Sequence, residues 1–244
     1  MNVALVTGAS SGIGAAIAIA FADAGWSVMA AGRHEGRLEE VADVSEQIST
    51  WAGELEESDD CDELVADTVD EYERIDCLVN AAGVLIPGNA EEITDEKWRD
   101  TLIINLDVPF YLSRAALPHL LQRGGSIINI ASVWGLEGGK RALAYCASKG
   151  GLIQLTRSMA LDHADDDVRV NAICPGGVDT PMLAVRAEEE DKDVDDFLAE
   201  LAEGSPNGRI ATPEDIAGLV LFLASDAASH ITGTAIPIDG GLMA

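Results

Sequence analysis

An apolar run, "VALVT" at residues 3–7, stops at a glycine-rich turn, "GASSGIG" at 8–14, and an apolar helical pattern resumes directly after it. A strand, a tight turn and a helix in that order admit few architectures. A run without polar alternation suits a strand buried on both faces, as in parallel sheets whose crossovers are helices. The stretch 3–22 carries no charge, yet it does not read as a membrane or signal segment. No Lys or Arg precedes it, and turn residues interrupt it.

The same alternation continues along the chain. "WSVMAA" (26–31), "IDCLVN" (75–80), "SIINIAS" (126–132) and "VRVNAIC" (168–174) read as further strands, and the amphipathic stretches 12–24, 60–73, 95–122, 144–163 and 212–225 as helices. "TPED" at 212–215 supplies an N-capping Thr, a Pro at the first helical position and acids in the first turn. The pattern predicts an α/β fold, a doubly wound parallel sheet of about seven strands with helices on both faces, in one domain over 1–244. Nine of the sixteen residues at 188–203 are acidic, which reads most simply as a solvated helical face. Following "PGGVDTPML", residues 180–208 are also expected to form a lid over a site at the strand ends.

The chain holds 43 Asp and Glu against 15 Lys and Arg, a net charge of −28, and only four of the cations are lysines. Such self-repulsion is tolerated by proteins of salt-accumulating cells, because at about 1 M salt the screening length is only ~3 Å. The composition therefore predicts a soluble, cytoplasmic, halophilic protein. It argues against nucleic acid and membranes as partners, since phosphates call for basic patches. Cys61, Cys77, Cys146 and Cys174 form no C-x-x-C pair, and the histidines are scattered. Lone buried thiols and no metal site are expected.

The glycine turn has two readings. Gly8, Ser10 and Gly12 spell G-x-S-x-G, the nucleophile elbow of serine hydrolases; Gly8, Gly12 and Gly14 spell a pyrophosphate cradle. Position decides between them. An elbow follows several strands and an upstream oxyanion loop, whereas only seven residues precede Gly8. A dinucleotide loop belongs after the first strand. Gly8 then allows the turn, Gly12 and Gly14 let the backbone approach the pyrophosphate at a helix N-terminus, and Ser10 is a spacer.

The spacing T-G-x-x-x-G-x-G resembles the signature of the short-chain dehydrogenase/reductase family, and further family elements follow in order. These are "NAAG" (80–83) at the end of the fourth strand, Asn105 in "INLDVPF", Ser132 ending the fifth strand, and Tyr145 and Lys149 in "YCASK". "CPGGVDTPM" (174–182) and "ITGTAIPIDGG" (231–241) complete the set. The resemblance spans essentially the whole chain and implies a Rossmann fold with Asn105, Ser132, Tyr145 and Lys149 as catalytic residues. It also implies that Gly8, Ser10, Ser11, Gly12, Ile13, Gly14, Arg33, Glu54, Leu55, Asn80, Ala81, Ala82 and Gly83 hold the cofactor. Tyr145, Lys149, Pro175, Gly176, Val178 and Thr180 join them.

Tyr145 and Lys149, four apart, share one helix face, where an ammonium would favour the phenolate and lower a phenol pKa from ~10. Tyr145 would then serve as general acid for carbonyl reduction and as general base for alcohol oxidation. Ser132 would donate a hydrogen bond to the substrate oxygen. By resemblance, Lys149 also bonds the nicotinamide ribose and Asn105 holds a relay water. Where relatives preferring NAD end the second strand with an acid, this chain has Gly32 and then Arg33. NADP(H) is accordingly the expected cofactor and NAD the alternative. Ala81 replaces the commoner second Asn of "NNAG", and Glu54 aligns with an acid that meets the adenine.

Ser132, Tyr145 and Arg186 are the expected substrate contacts. Similar sequences that oxidise 3-hydroxybutyrate carry an arginine at the place of Arg186, which predicts a small hydroxy or keto acid held by Arg186, with Arg141 as a second candidate. The competing expectation pairs Arg186 with the acids at 188–191. Trp134 is expected either to wall the pocket or to pack in the core. Alternatives are a 3-oxoacyl-thioester reductase, a sugar or polyol dehydrogenase, and a non-catalytic NADP-binding regulator. By resemblance, the helices at 95–122 and 144–163 form a dimer interface and the last strand completes a tetramer.

Overall fold

A computed structural model describes residues 1–244, apart from the side chain of Glu189. Seven parallel strands form one sheet: β1 (Val3–Thr7), β2 (Ser27–Gly32), β3 (Ile48–Ala52), β4 (Cys77–Asn80), β5 (Gly125–Ile130), β6 (Val168–Pro175) and β7 (Ala235–Ile238). Their spatial order is β3-β2-β1-β4-β5-β6-β7. The direction of winding therefore reverses between β1 and β4, and ligands of open α/β sheets bind at the carboxyl ends of strands at such a point.

All five residues of β1 are buried, as a strand covered on both faces requires. Its side chains alternate between two cores. Ala4 and Val6 face α1 (Gly12–Asp23), α2 (Glu35–Ala42) and α9 (Pro213–Ala224), with Ile17, Phe21, Leu38 and Val220 among their neighbours. Leu5 faces α3 (Ser58–Tyr72) and α5 (Val108–Leu120), through Leu64, Val65, Leu112 and Leu120. Truncating Leu5 to Ala would cost about 2–5 kcal/mol, the price of a core cavity. The uncharged stretch 3–22 is thus a strand, a turn and most of a helix.

Several expectations change in detail. The stretch 95–122 is not one helix: α4 (Asp95–Leu102) runs through a π-helical segment at Ile103–Asp107 into α5. The acidic run is two helices, α7 (Pro181–Glu189) and α8 (Val194–Gly204), with Phe197 buried between them against Leu183 and Ala187. It is therefore not only a solvated face. β5 stops at Ile130, so Ser132 lies beyond the strand and caps the 3-10 turn Val133–Gly135. The long helix α6 (Leu143–Asp162) follows. α9 starts as its sequence requires: Thr212 Oγ1 accepts from Asp215 N, and the Asp215 carboxylate accepts from Thr212 N at 2.9 Å.

Candidate active site

The glycine turn sits at the carboxyl end of β1, beside the end of β4. Gly8 has φ +66, and a Cβ there would lie 2.8 Å from the backbone of Ala82; one on Gly14 would run into the Gly8 carbonyl. Gly12, at φ +54, faces Thr180 across a gap that a Cβ would narrow to 3.2 Å. Such a bare cradle fits a dinucleotide, whose pyrophosphate needs close backbone approach. Ser11 is the N-cap of α1 and makes no side-chain cap bond, so donors at that helix start are not taken by it. Ser10 Oγ lies 3.3 Å from where a Cβ on Gly32 would be, which brings the end of β2 against the turn. Ile13 packs against the core on the α1 side.

Thr7, absent from the expected set, ties the turn to "NAAG". Its hydroxyl accepts from Ala81 N at 3.2 Å and Ala82 N at 3.3 Å. The signal for it was the leading threonine of the glycine motif. The Asn80 side chain is turned into the core. Its amide donates to Asn129 Oδ1 at 2.8 Å, Asn129 donates to Thr156 Oγ1 at 2.8 Å, and the chain of bonds clamps β4, β5 and α6 inside the core. The neighbouring strand satisfies the Asn80 amide nitrogen, while its buried Oδ1 has no hydrogen-bond partner.

Beyond β2, Arg33 is exposed, as are His34 and Arg37, two further basic groups that sequence reasoning passed over. Among the described residues Arg33 and Arg37 make no ion pair. Glu54 is exposed just beyond β3, whereas the Leu55 side chain turns into the core. Pro175 ends β6, Gly176 packs against Asp239, Val178 bridges to Ala211, and Thr180 caps α7 while its hydroxyl donates to Val178 O at 3.2 Å.

Asn105, Ser132, Tyr145 and Lys149 are all buried. Asn105 lies in the π-helical segment, where it accepts from Val84 N and donates to Val84 O, both at 2.9 Å, and to Ser148 Oγ at 3.0 Å. The missing side chain of Gly83 leaves a gap: a Cβ there would meet Asn105 Oδ1 at 3.4 Å and Lys149 Nζ at 3.5 Å. Lys149 Nζ donates to Ile130 O at 2.7 Å and stands 5.7 Å from the centre of the Tyr145 ring. Ser132 Oγ accepts from Trp134 N at 3.1 Å.

The electrostatics correct one expectation. Burial pushes the Tyr145 phenol up to about 12, against a lowering hydrogen bond with Ser132. Burial holds the Lys149 ammonium down at about 8. Helical spacing placed the two groups on one face, but burial of each dominates: it disfavours the charged form of the phenol and of the ammonium alike. At neutral pH Tyr145 is a protonated phenol.

Trp134 stands edge-on to Tyr145, with ring centres 6.2 Å apart. It walls a cavity of about 490 Å³ together with Leu85, Pro87, Lys140, Arg141, Arg186 and Glu190. The Arg186 guanidinium lies 5.0 Å over the Trp134 ring and pairs with Glu190 at 3.3 Å, so it both faces the pocket and meets the acidic run. Arg141, at φ +55, pairs with Glu92 at 2.8 Å.

A buried Ser–Tyr–Lys–Asn group beside a bare dinucleotide cradle is the arrangement of an oxidoreductase, and comparison with known proteins agrees. A family model described as "Enoyl-(Acyl carrier protein) reductase" (adh_short_C2) matches residues 8–243. Meso-2,3-butanediol dehydrogenase of Serratia marcescens is 38% identical over 245 residues, covering 100% of this chain and 95% of that protein. The 3-oxoacyl-[acyl-carrier-protein] reductase FabG of Thermotoga maritima is 36% identical, covering 99% and 98%. The crystal structure of a phenylalanine-to-tryptophan variant of actinorhodin polyketide ketoreductase with NADPH superposes with a TM-score of 0.94 at 33% identity, covering 99% and 97%. The chain belongs to the short-chain dehydrogenase/reductase family. It is an oxidoreductase acting at CH–OH groups.

Proposed function

We propose that this protein transfers a hydride between NADP(H) and the hydroxyl-bearing or carbonyl carbon of a small hydroxy or keto acid, of which 3-hydroxybutyrate is the example to try. One observation carries the choice of an acid. In a chain of net charge −28, Lys140, Arg141 and Arg186 line one cavity walled by the tryptophan that meets Tyr145. Arg141 is paired with Glu92 and Arg186 with Glu190, so Lys140 leaves the lining with an excess of one positive charge, which favours an anion there.

The bound nicotinamide supplies the hydride for reduction and accepts it in oxidation. Gly8, Ser10, Ser11, Gly12, Ile13 and Gly14 would hold the pyrophosphate end, and Ala81, Ala82, Gly83, Pro175, Gly176, Val178 and Thr180 the nicotinamide half. Glu54 and the Leu55 backbone would meet the adenine. Arg33 binds the 2′-phosphate, as a guanidinium suits a phosphate. Tyr145, a protonated phenol at neutral pH, gives its proton to the carbonyl oxygen in reduction, and Ser132 donates a hydrogen bond to that oxygen. Lys149 returns the proton to Tyr145, with Asn105 holding the relay water. Arg186 anchors the carboxylate, with Arg141 beside it.

Residues 180–208 act as a lid on the single 1–244 domain. The acidic surface fits the salt-rich cytoplasm of a halophile. The protein assembles as a dimer or tetramer through α4–α6 and β7, where Phe110, Leu121, Leu143 and Leu161 are exposed.

The test follows nicotinamide absorbance in molar KCl with NADP and either 3-hydroxybutyrate or its methyl ester. A strong preference for the acid, lost in Arg186→Gln, is expected. A preference for the ester would instead favour neutral alcohols, the class to which the butanediol of the Serratia marcescens relative belongs.

A further inference from the structure

Arg186 is held by rings before it is held by charge. Its guanidinium lies 5.0 Å from the Trp134 ring and 5.5 Å from the Phe197 ring. The carboxylate on it belongs to the chain itself: Glu190 Oε1 stands 3.3 Å from Arg186 Nη2. Glu190 is also a lining residue of the cavity beside Trp134. Its other oxygen lies 3.3 Å from Lys192 Nζ, and Lys192 is in turn anchored by Glu200 and lies 5.5 Å from the Phe197 ring. Glu190 therefore has a second cation to retain it if Arg186 is taken by another partner.

We infer that Glu190 is a resident stand-in for the substrate carboxylate, displaced from Arg186 when an acid enters, and that it sets how substrate binding responds to salt. The inference rests on the reading of Arg186 as the acid anchor. An incoming carboxylate exchanges one ion pair for another, while Glu190 falls back on Lys192. Pair-for-pair exchange leaves the number of close charge contacts unchanged, so screening acts on both sides of the equilibrium. A bare arginine would behave differently. It would bind an acid more tightly at low salt and lose that advantage as salt rises, and in molar chloride it would be open to chloride itself. A tethered carboxylate is always at hand to exclude the anion of the medium, and a neutral substrate leaves the internal pair undisturbed.

The experiment measures KM for 3-hydroxybutyrate and for its methyl ester, with NADP saturating, at about 0.3 M and about 3 M KCl, between which the screening length falls several-fold. Three proteins are compared: the wild type, Glu190→Gln, and Glu203→Gln. Glu203 is exposed on α8 and outside the cavity lining, so its variant makes the same charge change elsewhere on the lid.

At the lower salt Glu190→Gln is expected to lower KM for the acid roughly two- to five-fold relative to the ester, the worth of one partly exposed ion pair. That advantage shrinks toward one at high salt, while the wild type stays nearly flat and Glu203→Gln follows it. An acid KM in Glu190→Gln that is unchanged or raised at low salt would overturn the inference, as would the same change in Glu203→Gln. If the wild type prefers the acid and Glu190→Gln matches it, only the stand-in role falls. Turnover of the ester alone, or of neither compound, removes the anchor and the stand-in role with it.

Discussion

Gly8 offers a perturbation whose size follows from geometry. At φ +66 an alanine sits in the left-handed region, which costs an L residue about 1–2 kcal/mol. Its Cβ would also lie 2.8 Å from Ala82 N and Cα and 2.9 Å from Ala81 C. Those are backbone atoms, pinned by the two bonds to Thr7, so the contact cannot be relieved by a rotamer change. Overpacking of that kind costs about 1–3 kcal/mol. Gly8→Ala should therefore lose about 2–5 kcal/mol of a total stability on the order of 5–15 kcal/mol, leaving a folded protein with a displaced cofactor turn. Urea unfolding in molar KCl, followed by tryptophan fluorescence, measures the first effect, and NADPH titration measures the second. Gly36→Ala is the control. Gly36 lies in α2 with nothing within 4 Å of a new Cβ, so alanine there should stabilise by about 0.5–1 kcal/mol. A Gly8→Ala protein that loses less than about 1 kcal/mol and binds NADPH normally would refute the reasoning. A Gly36→Ala protein equally damaged would refute it too.

The other predictions concern the buried charges and the cofactor loops. Burial holds Lys149 at about 8 in the folded chain against 10.5 ordinarily. The unfolded chain thus binds more protons between those pH values, so stability rises with pH across that window by roughly 3 kcal/mol, and Lys149→Met should abolish the rise. Parallel urea midpoints for both proteins from pH 8 to pH 10 would contradict this. Tyr145, held near 12, acts in the opposite sense above pH ~10, where the folded chain binds the extra proton. Thr7→Val leaves the amides of Ala81 and Ala82 without their acceptor at a cost of about 1–3 kcal/mol, and should raise KM for the nucleotide more than it lowers kcat. An unchanged nucleotide KM would show that the loop holds its shape without Thr7. Arg33→Asp should erode the preference for NADPH over NADH, measured as the ratio of kcat/KM values; an unaltered ratio would remove Arg33 from the 2′-phosphate.

Long apolar runs made most of the architecture legible. β1, β2, β4, β5 and β6 were marked by burial on both faces, which leaves no polar alternation to confuse with a loop. β3, "ISTWA", escaped notice because it is an edge strand with only Ile48 buried, and its sequence mixes polar and apolar residues. α2 escaped for a related reason: only Leu38 and Val41 are buried along eight residues. Two short elements therefore carried too little hydrophobic signal to stand out. The break of 95–122 at a π-helical turn was equally hidden, since helical periodicity survives one wide turn.

The sequence by itself determined the class of fold and the glycine turn, because each is encoded by residue types at short, fixed spacings; it grouped Ser132, Tyr145, Lys149 and Asn105 through the family resemblance. Tertiary structure decided what those residues experience. Packing of α6 against β6, the turn after β5 and the π-helical segment buries Tyr145 and Lys149, and desolvation reverses the pKa shift that spacing alone implies. Only the folded chain turns Asn80 into the core, where Asn129 of the adjacent strand answers it. Arg186 needed both. Its charge and position are local, but the partners that place it, Trp134 and Phe197, come from separate segments brought together by the fold, with Glu190 one helical turn away closing the pair.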